Sequence, residues 1–301
     1  MVAMRTSMRL LLLVSVAASL VATPAPRTQD VGIDMRNVHL HVAADAVLDV
    51  AWLHGRLRPA KAGQTPVFDD PTSFDMAIED AELSIDAPSL TALVNRAFSF
   101  KGSNLSDLKV SFEGPLLVQH GKLSKGVTVP FSVRASVSVT PEGLLRVHPE
   151  KTKTAGVPAQ GLMHLFGIEL DNLVHANPAG GIRIEGNDLL LDPGRLLPAP
   201  ATSGHLVRAD VRDNHLVQIF GRGAAGRPKG GGNYIWFRGG TIRFGKLTMS
   251  DADLQLIDMQ PADAFDFYSA KYDAQLVAGY SKNTPQHGLR TYMPDYRRVG
   301  R

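Results

Sequence analysis

Between residues 127 and 139 of the sequence every second side chain is apolar. These positions are Val127, Val129, Phe131, Val133, Ala135, Val137 and Val139. A period of two is typical of a β-strand, because successive side chains of a strand point to opposite faces. At about 3.3 Å per residue this strand is about 40 Å long, so we expect it to belong to a long sheet. The apolar face of that sheet must be covered by helices, another sheet, a membrane or a lipid.

Shorter alternating runs recur along most of the chain, and apolar residues at helical spacing interrupt them three times. One helix is predicted to open near Pro88, with an apolar face formed by Leu90, Leu93, Val94 and Phe98. Two more are predicted at residues 158–173 and 263–277. The absence of a regular βαβ rhythm disfavours Rossmann and TIM-barrel folds. We therefore predict a mainly β protein of the α+β class, in which a long curved antiparallel sheet wraps around one or two helices.

Residues 1–25 have the features of a secretory signal peptide. Arg5 and Arg9 precede an apolar run at residues 10–21, and small residues and prolines follow it. An uncleaved anchor helix is the alternative, but this run is shorter than the about 20 residues that span a bilayer. The sequence contains no cysteine, which excludes disulfides and lipidation on cysteine. We predict secretion across a bacterial inner membrane and a periplasmic location in the cell envelope.

Three further segments are predicted after the signal. Residues 30–220 are predicted to form the long antiparallel sheet wrapped on a helix. Residues 221–232 are rich in glycine and arginine and are predicted to form a flexible loop or hinge. Residues 233–301 form a β ladder with a helix and a tail, packed on the same sheet. The formal net charge is only +3, and no basic stripe is interleaved with aromatic residues, so we predict no nucleic-acid partner.

The sequence offers no specific catalytic or cofactor motif. Residues 221–226 match G-x-G-x-x-G, but neither the preceding strand nor the following helix of a dinucleotide site is predicted there. His39 and His41 share one face of a strand without a third metal ligand in view. Carboxylates cluster at Asp251, Asp253, Asp258, Asp263 and Asp266, and two of them in a cleft could hydrolyse a glycoside. Turn and helix-capping roles explain these acids more simply, so we predict no enzyme, no catalytic residue, no metal and no cofactor.

The order of elements resembles that of tubular lipid-binding proteins of the bacterial envelope, the BPI-like and LmeA-like group. The resemblance starts with the strand-then-helix at residues 83–95. It continues through residues 108–110, 121–123, 129–133, 144–147 and 153–158. Residues 237–247 are weakly similar to AsmA-like envelope proteins. This resemblance implies a curved sheet around a helix, an apolar groove for lipid tails and no catalytic motif.

We therefore predict an exported protein for lipid binding or lipid transport that holds acyl chains in an apolar groove. The predicted partner is a lipid or another acylated ligand, with a membrane surface as a further contact. The predicted apolar lining consists of Leu93, Val129, Phe131, Val133 and Val137. A non-enzymatic, β-rich structural or assembly protein of the envelope is the alternative, and an exported hydrolase using the acids at 251–266 is a third hypothesis.

We expect Val133→Asp to abolish lipid uptake while the protein stays folded, because a charge in an open groove repels acyl chains and keeps access to water. Circular dichroism and a lipid-loading assay on the same sample measure the two effects. Unfolding of the variant would instead place Val133 in a closed core, where an unpaired buried charge is very costly.

Overall fold

The computed structural model describes residues 30–99, 103–125, 127–154, 181–228 and 231–299. The described part is mostly β: strands make up 58% and helices 14% of these residues, and the large sheets are mainly antiparallel. The predicted mainly β, α+β class is thereby confirmed. The predicted signal peptide at 1–25 and the predicted helix at 158–173 lie outside the described residues. No helix within the described part of the chain is long and apolar enough to cross a bilayer.

The strands, numbered in chain order, are β1 (Val31–Ala43), β2 (Ala46–Pro59), β3 (Phe74–Asp86), β4 (Leu105–Glu113), β5 (Leu116–Lys125), β6 (Val127–Val139), β7 (Leu145–Thr154), β8 (Ile182–Glu185), β9 (Asp188–Leu191), β10 (Ala201–Ser203), β11 (Leu206–Arg212), β12 (His215–Phe220), β13 (Tyr234–Arg238), β14 (Thr241–Phe244), β15 (Leu247–Ser250), β16 (Asp253–Asp258), β17 (Phe265–Tyr268), β18 (Tyr280–Asn283) and β19 (Leu289–Met293). The helices are α1 (Ala87–Ala97), α2 (Pro193–Leu196), α3 (Tyr272–Val277) and α4 (Tyr296–Val299).

Two large sheets contain most of these strands. The first has eleven strands in the order β11-β12-β3-β2-β1-β13-β16-β19-β18, with β10 beside β3 and β17 beside β1. The second has six strands in the order β4-β5-β6-β7-β9-β8, and all its pairs are antiparallel. The alternating run at residues 127–139 is β6, which pairs with β5 and β7 over most of its length. A two-stranded ribbon of β14 and β15 is separate from both.

Helix α1 is attached to both large sheets. Its first turn is capped by Asp86, whose side chain accepts a hydrogen bond of 2.8 Å from the backbone N–H of Ser89. The Ser89 hydroxyl accepts a hydrogen bond of 3.0 Å from the backbone of Val47 in β2. On the side of the six-stranded sheet, Asn95 donates to the carbonyl of Leu108 in β4 at 2.7 Å. These contacts fix α1 between β2 and β4.

Two clusters of buried apolar side chains form the core. The larger draws on the inner face of the eleven-stranded sheet, and Val137, Val139 and Val147 of the six-stranded sheet pack against it. The smaller cluster consists of Leu105, Leu108, Leu123 and Phe131, with Val94, Phe98 and Val133 packed around it. The two sheets therefore bury their apolar faces against each other and against α1.

Part of the glycine-rich segment at residues 221–232 packs against β3. Within its described residues, 221–228 and 231–232, a short 3-10 turn at Gly223–Gly226 contacts β3. Asp80 is only 1% exposed. Its carboxylate accepts hydrogen bonds of 2.6 Å from both the backbone and the guanidinium of Arg222. Arg222 holds the pKa of Asp80 below its usual value of 3.8.

The predicted helix at 263–277 is wrong in its first half. Phe265–Tyr268 is strand β17, which pairs in parallel with β1. Phe265 and Phe267 are 0% and 1% exposed. Pairing with β1 buries both aromatic rings, and this gain overrides the helical spacing of the sequence. Helix α3 begins only at Tyr272.

We expect Gly226→Ala to destabilise the protein by about 1–3 kcal/mol, because the new Cβ would overlap the Asp80 carboxylate that Arg222 holds in place. Gly231→Ala is the matched control, since nothing lies within 4 Å of a Cβ at that position. Urea unfolding of both variants measures the difference. Equal midpoints would contradict the packing of this segment on β3.

Candidate functional site

An apolar cavity of about 510 Å³ lies between the two large sheets. We call it the intersheet cavity. Its walls come from β2, β3 and β12 of one sheet, from β4 to β9 of the other, and from α1 and α2. Its apolar lining includes Leu83, Ile85, Leu90, Leu93, Leu117, Val133, Val147, Leu191, Leu216 and Phe220.

The alternation of the strands explains why this lining is apolar. Leu83 and Ile85 are two positions apart on β3, so both side chains point inward. Val133 and Ala135 occupy the equivalent inward positions on β6. The α1 wall follows helical spacing instead, with Leu90, Leu93, Val94, Ala97 and Phe98 on one face.

The structure places only part of the predicted lining at the intersheet cavity. Leu93 of α1 and Val133 of β6 both line it. Phe131, 4% exposed, belongs to the smaller core cluster, and Val137 packs on the larger one. Val129 is half-buried and lies outside the lining. A lipid-contacting role for these five residues stays a prediction.

Phe131 does not line the cavity, because its ring packs over a glycine of the neighbouring strand β5. Gly121 of β5 lies directly opposite Phe131. A Cβ at Gly121 would lie 2.7 Å from the Phe131 ring and 2.6 Å from the side chain of Leu108. The Phe131 ring therefore fills the space above Gly121, whereas Val133 lines the intersheet cavity.

The intersheet cavity reaches the surface beside charged residues. Gly186 and Asn187, in the turn between β8 and β9, are exposed members of its lining. Next to them, Asp188 pairs with Nδ1 of His148 at 2.6 Å and with Nε of Arg146 at 3.3 Å. Arg146 and His148 have the opposite parity in β7 to the cavity-lining Leu145 and Val147, so they lie on the outer face of the six-stranded sheet. The exposed turn and Asp188 thus form a polar rim where the apolar interior reaches the surface.

Three parts of this site are not evident from the sequence. The β8–β9 hairpin and α2 are short, and their contribution to a wall depends on long-range packing. Gln119 and Gln218 also line the cavity. Gln218 carries a detectable signal, because it lies midway between Leu216 and Phe220 at alternate positions, where a strand pattern favours a third apolar residue.

A second, polar pocket of about 550 Å³ includes His39, Asp49 and His215. Val38 is buried in the core, so His39, its neighbour in β1, points to the other face of the sheet. Nδ1 of His39 is hydrogen-bonded to the Asp49 carboxylate, and Nε2 of His215 lies 3.6 Å from the same carboxylate. The Asp49 hydrogen bond raises the pKa of His39 above 6.5, although partial burial opposes the charge.

Four of the five acids that a hydrolase would use are engaged with partners on other elements, and the fifth, Asp251, lies in the turn between β15 and β16 with a positive φ of 52°. The contacts are Asp253 with Arg290 and Trp236, Asp258 with Asn233, Asp263 with Arg297, and Asp266 with His41. Burial raises the pKa of Asp258, and the hydrogen bond from Asn233 only partly offsets this effect. The contacts of Asp253 join β16 to β13 and β19 within the large sheet, and the contact of Asp263 holds α4 beside the segment before β17. Across the described ranges, no group of three or more histidines and acids could hold a metal ion.

Comparison of the chain with protein-family models, curated proteins and solved structures found no match. The resemblance to tubular lipid-binding proteins therefore stays a prediction.

We expect His39 to titrate above pH 6.5 in the folded protein, and Asp49→Asn to lower that midpoint, because the hydrogen bond favours the protonated ring. A raised folded pKa means that the pair stabilises the protein fully below pH 6.5 and loses this effect as the pH rises through the folded pKa. NMR titration of the imidazole signals tests this, with urea-unfolded protein as the reference. An unchanged midpoint in Asp49→Asn would contradict the pairing.

Proposed function

We propose that the protein binds an acyl chain of a lipid in the intersheet cavity and shields it from water. The observation that carries this proposal is the cavity itself, an apolar space of about 510 Å³ walled by both sheets and α1. Ligand pockets of proteins commonly measure about 300–1,000 Å³ and are mostly apolar. Such binding needs no catalytic group.

The energetics favour an occupied cavity. Unfilled apolar space costs a folded protein stability, because the lining side chains lack contact partners. Burial of one methylene group contributes about 0.8 kcal/mol, so ten methylenes contribute about 8 kcal/mol before ordering costs. Transfer of an acyl chain from water into the cavity is therefore favourable, and the bound chain also stabilises the packing of the two sheets.

The polar rim supports a ligand with a polar end. The exposed Gly186 and Asn187, together with Asp188, border the cavity, so a headgroup placed there stays in water while the chain enters. The predicted export, periplasmic location and likeness to tubular lipid-binding proteins belong to this proposal. A lipid carrier in that location moves acyl chains between membranes or holds them for another protein.

A structural or assembly role is the second candidate, and a different observation favours it. Strand β18 is at the end of the large sheet, and all four of its residues are exposed. Nearby in sequence, Val277 is 86% exposed. An exposed edge strand with apolar neighbours is a common site for adding a strand from a partner.

The first test is native mass spectrometry of the protein purified from its own cell envelope, followed by lipid extraction. We expect a bound lipid at one per chain or a small integer ratio. Protein that is free of lipid, and that also fails to take up palmitate or phosphatidylglycerol from vesicles, would refute lipid binding and favour the assembly role.

We expect Leu93→Trp and Val133→Trp each to lower lipid uptake at least about tenfold without loss of the fold, because an indole fills apolar volume from one wall. Ser138→Trp is the matched control, since Ser138 is exposed on β6 at a position of opposite parity to Val133. Uptake of a fluorescent fatty acid and thermal unfolding are measured on each variant. Normal uptake in both filled variants would place the ligand elsewhere.

A further inference from the structure

Gln218 is a buried polar residue at a position where the strand pattern calls for an apolar side chain. On β12 it lies between Leu216 and Phe220 on the inward face, and these two are 3% and 4% exposed. Gln218 itself is 7% exposed. Its register partners on the adjacent strands are Leu83 of β3 and Ala209 of β11, which are also buried and apolar.

The amide of Gln218 faces the intersheet cavity without full hydrogen bonding. Gln218 belongs to the cavity lining, and its Oε1 atom is buried with no hydrogen-bond partner in the protein. A buried acceptor without a partner costs free energy, so such groups normally meet another polar group or water. In this case the open space in front of the amide is the space that the proposed ligand fills.

We propose that the ligand carries a hydroxyl group on its apolar chain and that Gln218 hydrogen-bonds this hydroxyl inside the cavity. This inference rests on the proposed function and names the class of ligand, a hydroxylated acyl chain. A hydroxyl both donates and accepts, so it satisfies the amide whichever way its oxygen and nitrogen are oriented. Gln119 of β5, paired with Val133, gives the six-stranded wall of the cavity a second amide.

Selectivity follows from the same geometry. A saturated chain that fills the cavity excludes water and leaves the Gln218 amide without a partner. A hydroxylated chain excludes the same water and replaces it with a hydrogen bond. Sites built to bind a hydroxyl discriminate strongly against analogues that lack it, because the buried polar group is then unpaired. Gln218 is therefore a specificity-determining residue, while the apolar walls supply most of the affinity.

The test compares stearate with three hydroxystearates that carry the hydroxyl near the carboxylate, at mid-chain and near the methyl end. Delipidated protein is titrated with each acid in competition with a fluorescent fatty acid. We expect at least one hydroxystearate to bind wild-type protein about tenfold more tightly than stearate. We expect Gln218→Met to remove that preference. Leu216→Met is the matched control, because Leu216 lines the same cavity on the same strand face, and it is expected to keep the preference.

Each outcome separates this inference from the proposed function. Equal binding of stearate and all three hydroxystearates to wild-type protein overturns the role of Gln218 and leaves lipid binding intact. Binding of none of the four acids refutes the proposed function and the inference together. A preference that survives in Gln218→Met also overturns the inference. If Gln218→Met does not fold, Gln218→Asn replaces it, and the shorter amide is expected to reduce the preference.

Discussion

The space between the sheets depends on the attachment of α1 to both of them. Ser89 ties the helix to β2, and Asn95 ties it to β4. Elsewhere β6 and β11 approach each other directly. Because α1 lies between the sheets at one place while β6 and β11 pack directly at another, the two apolar faces cannot come together uniformly. The intersheet cavity is a geometric consequence of this arrangement, since a helix is about 10 Å wide with its side chains.

Much of the fold is predictable because it depends on local pattern. The alternation at residues 127–139 predicts β6, and Pro88 with the spacing of Leu90 and Leu93 predicts α1. Strand β17 is missed because its aromatic residues fit helical spacing, and only the parallel partner β1 makes a strand more favourable. The cavity can be anticipated only in part. Leu93 and Val133 follow from the pattern, but Gln218 becomes informative only when packing shows what its amide faces.

Charged pairs on the outer face of the large sheet join strands that are distant in sequence. Asp34 of β1, although 4% exposed, is bonded to His54 of β2 and Arg238 of β13. His41 of β1 is bonded to Asp266 of β17. Removing one partner of such a pair leaves a desolvated carboxylate, so these contacts favour one register among alternatives. The inner face is stabilised by apolar burial, which does not require that the space between the sheets be completely filled.

The central position of β1 has a consequence for the order of folding. This strand is the first described element, yet it pairs with β13. Its Asp34 accepts a hydrogen bond from Arg238, which lies 204 positions later in the chain. Until residues 234–238 have left the ribosome, one edge of β1 has no native neighbour. Contacts this distant in sequence form slowly, and an unpaired edge is prone to join other chains. We infer that a nascent chain of this protein benefits from a holding chaperone until its last quarter has been made.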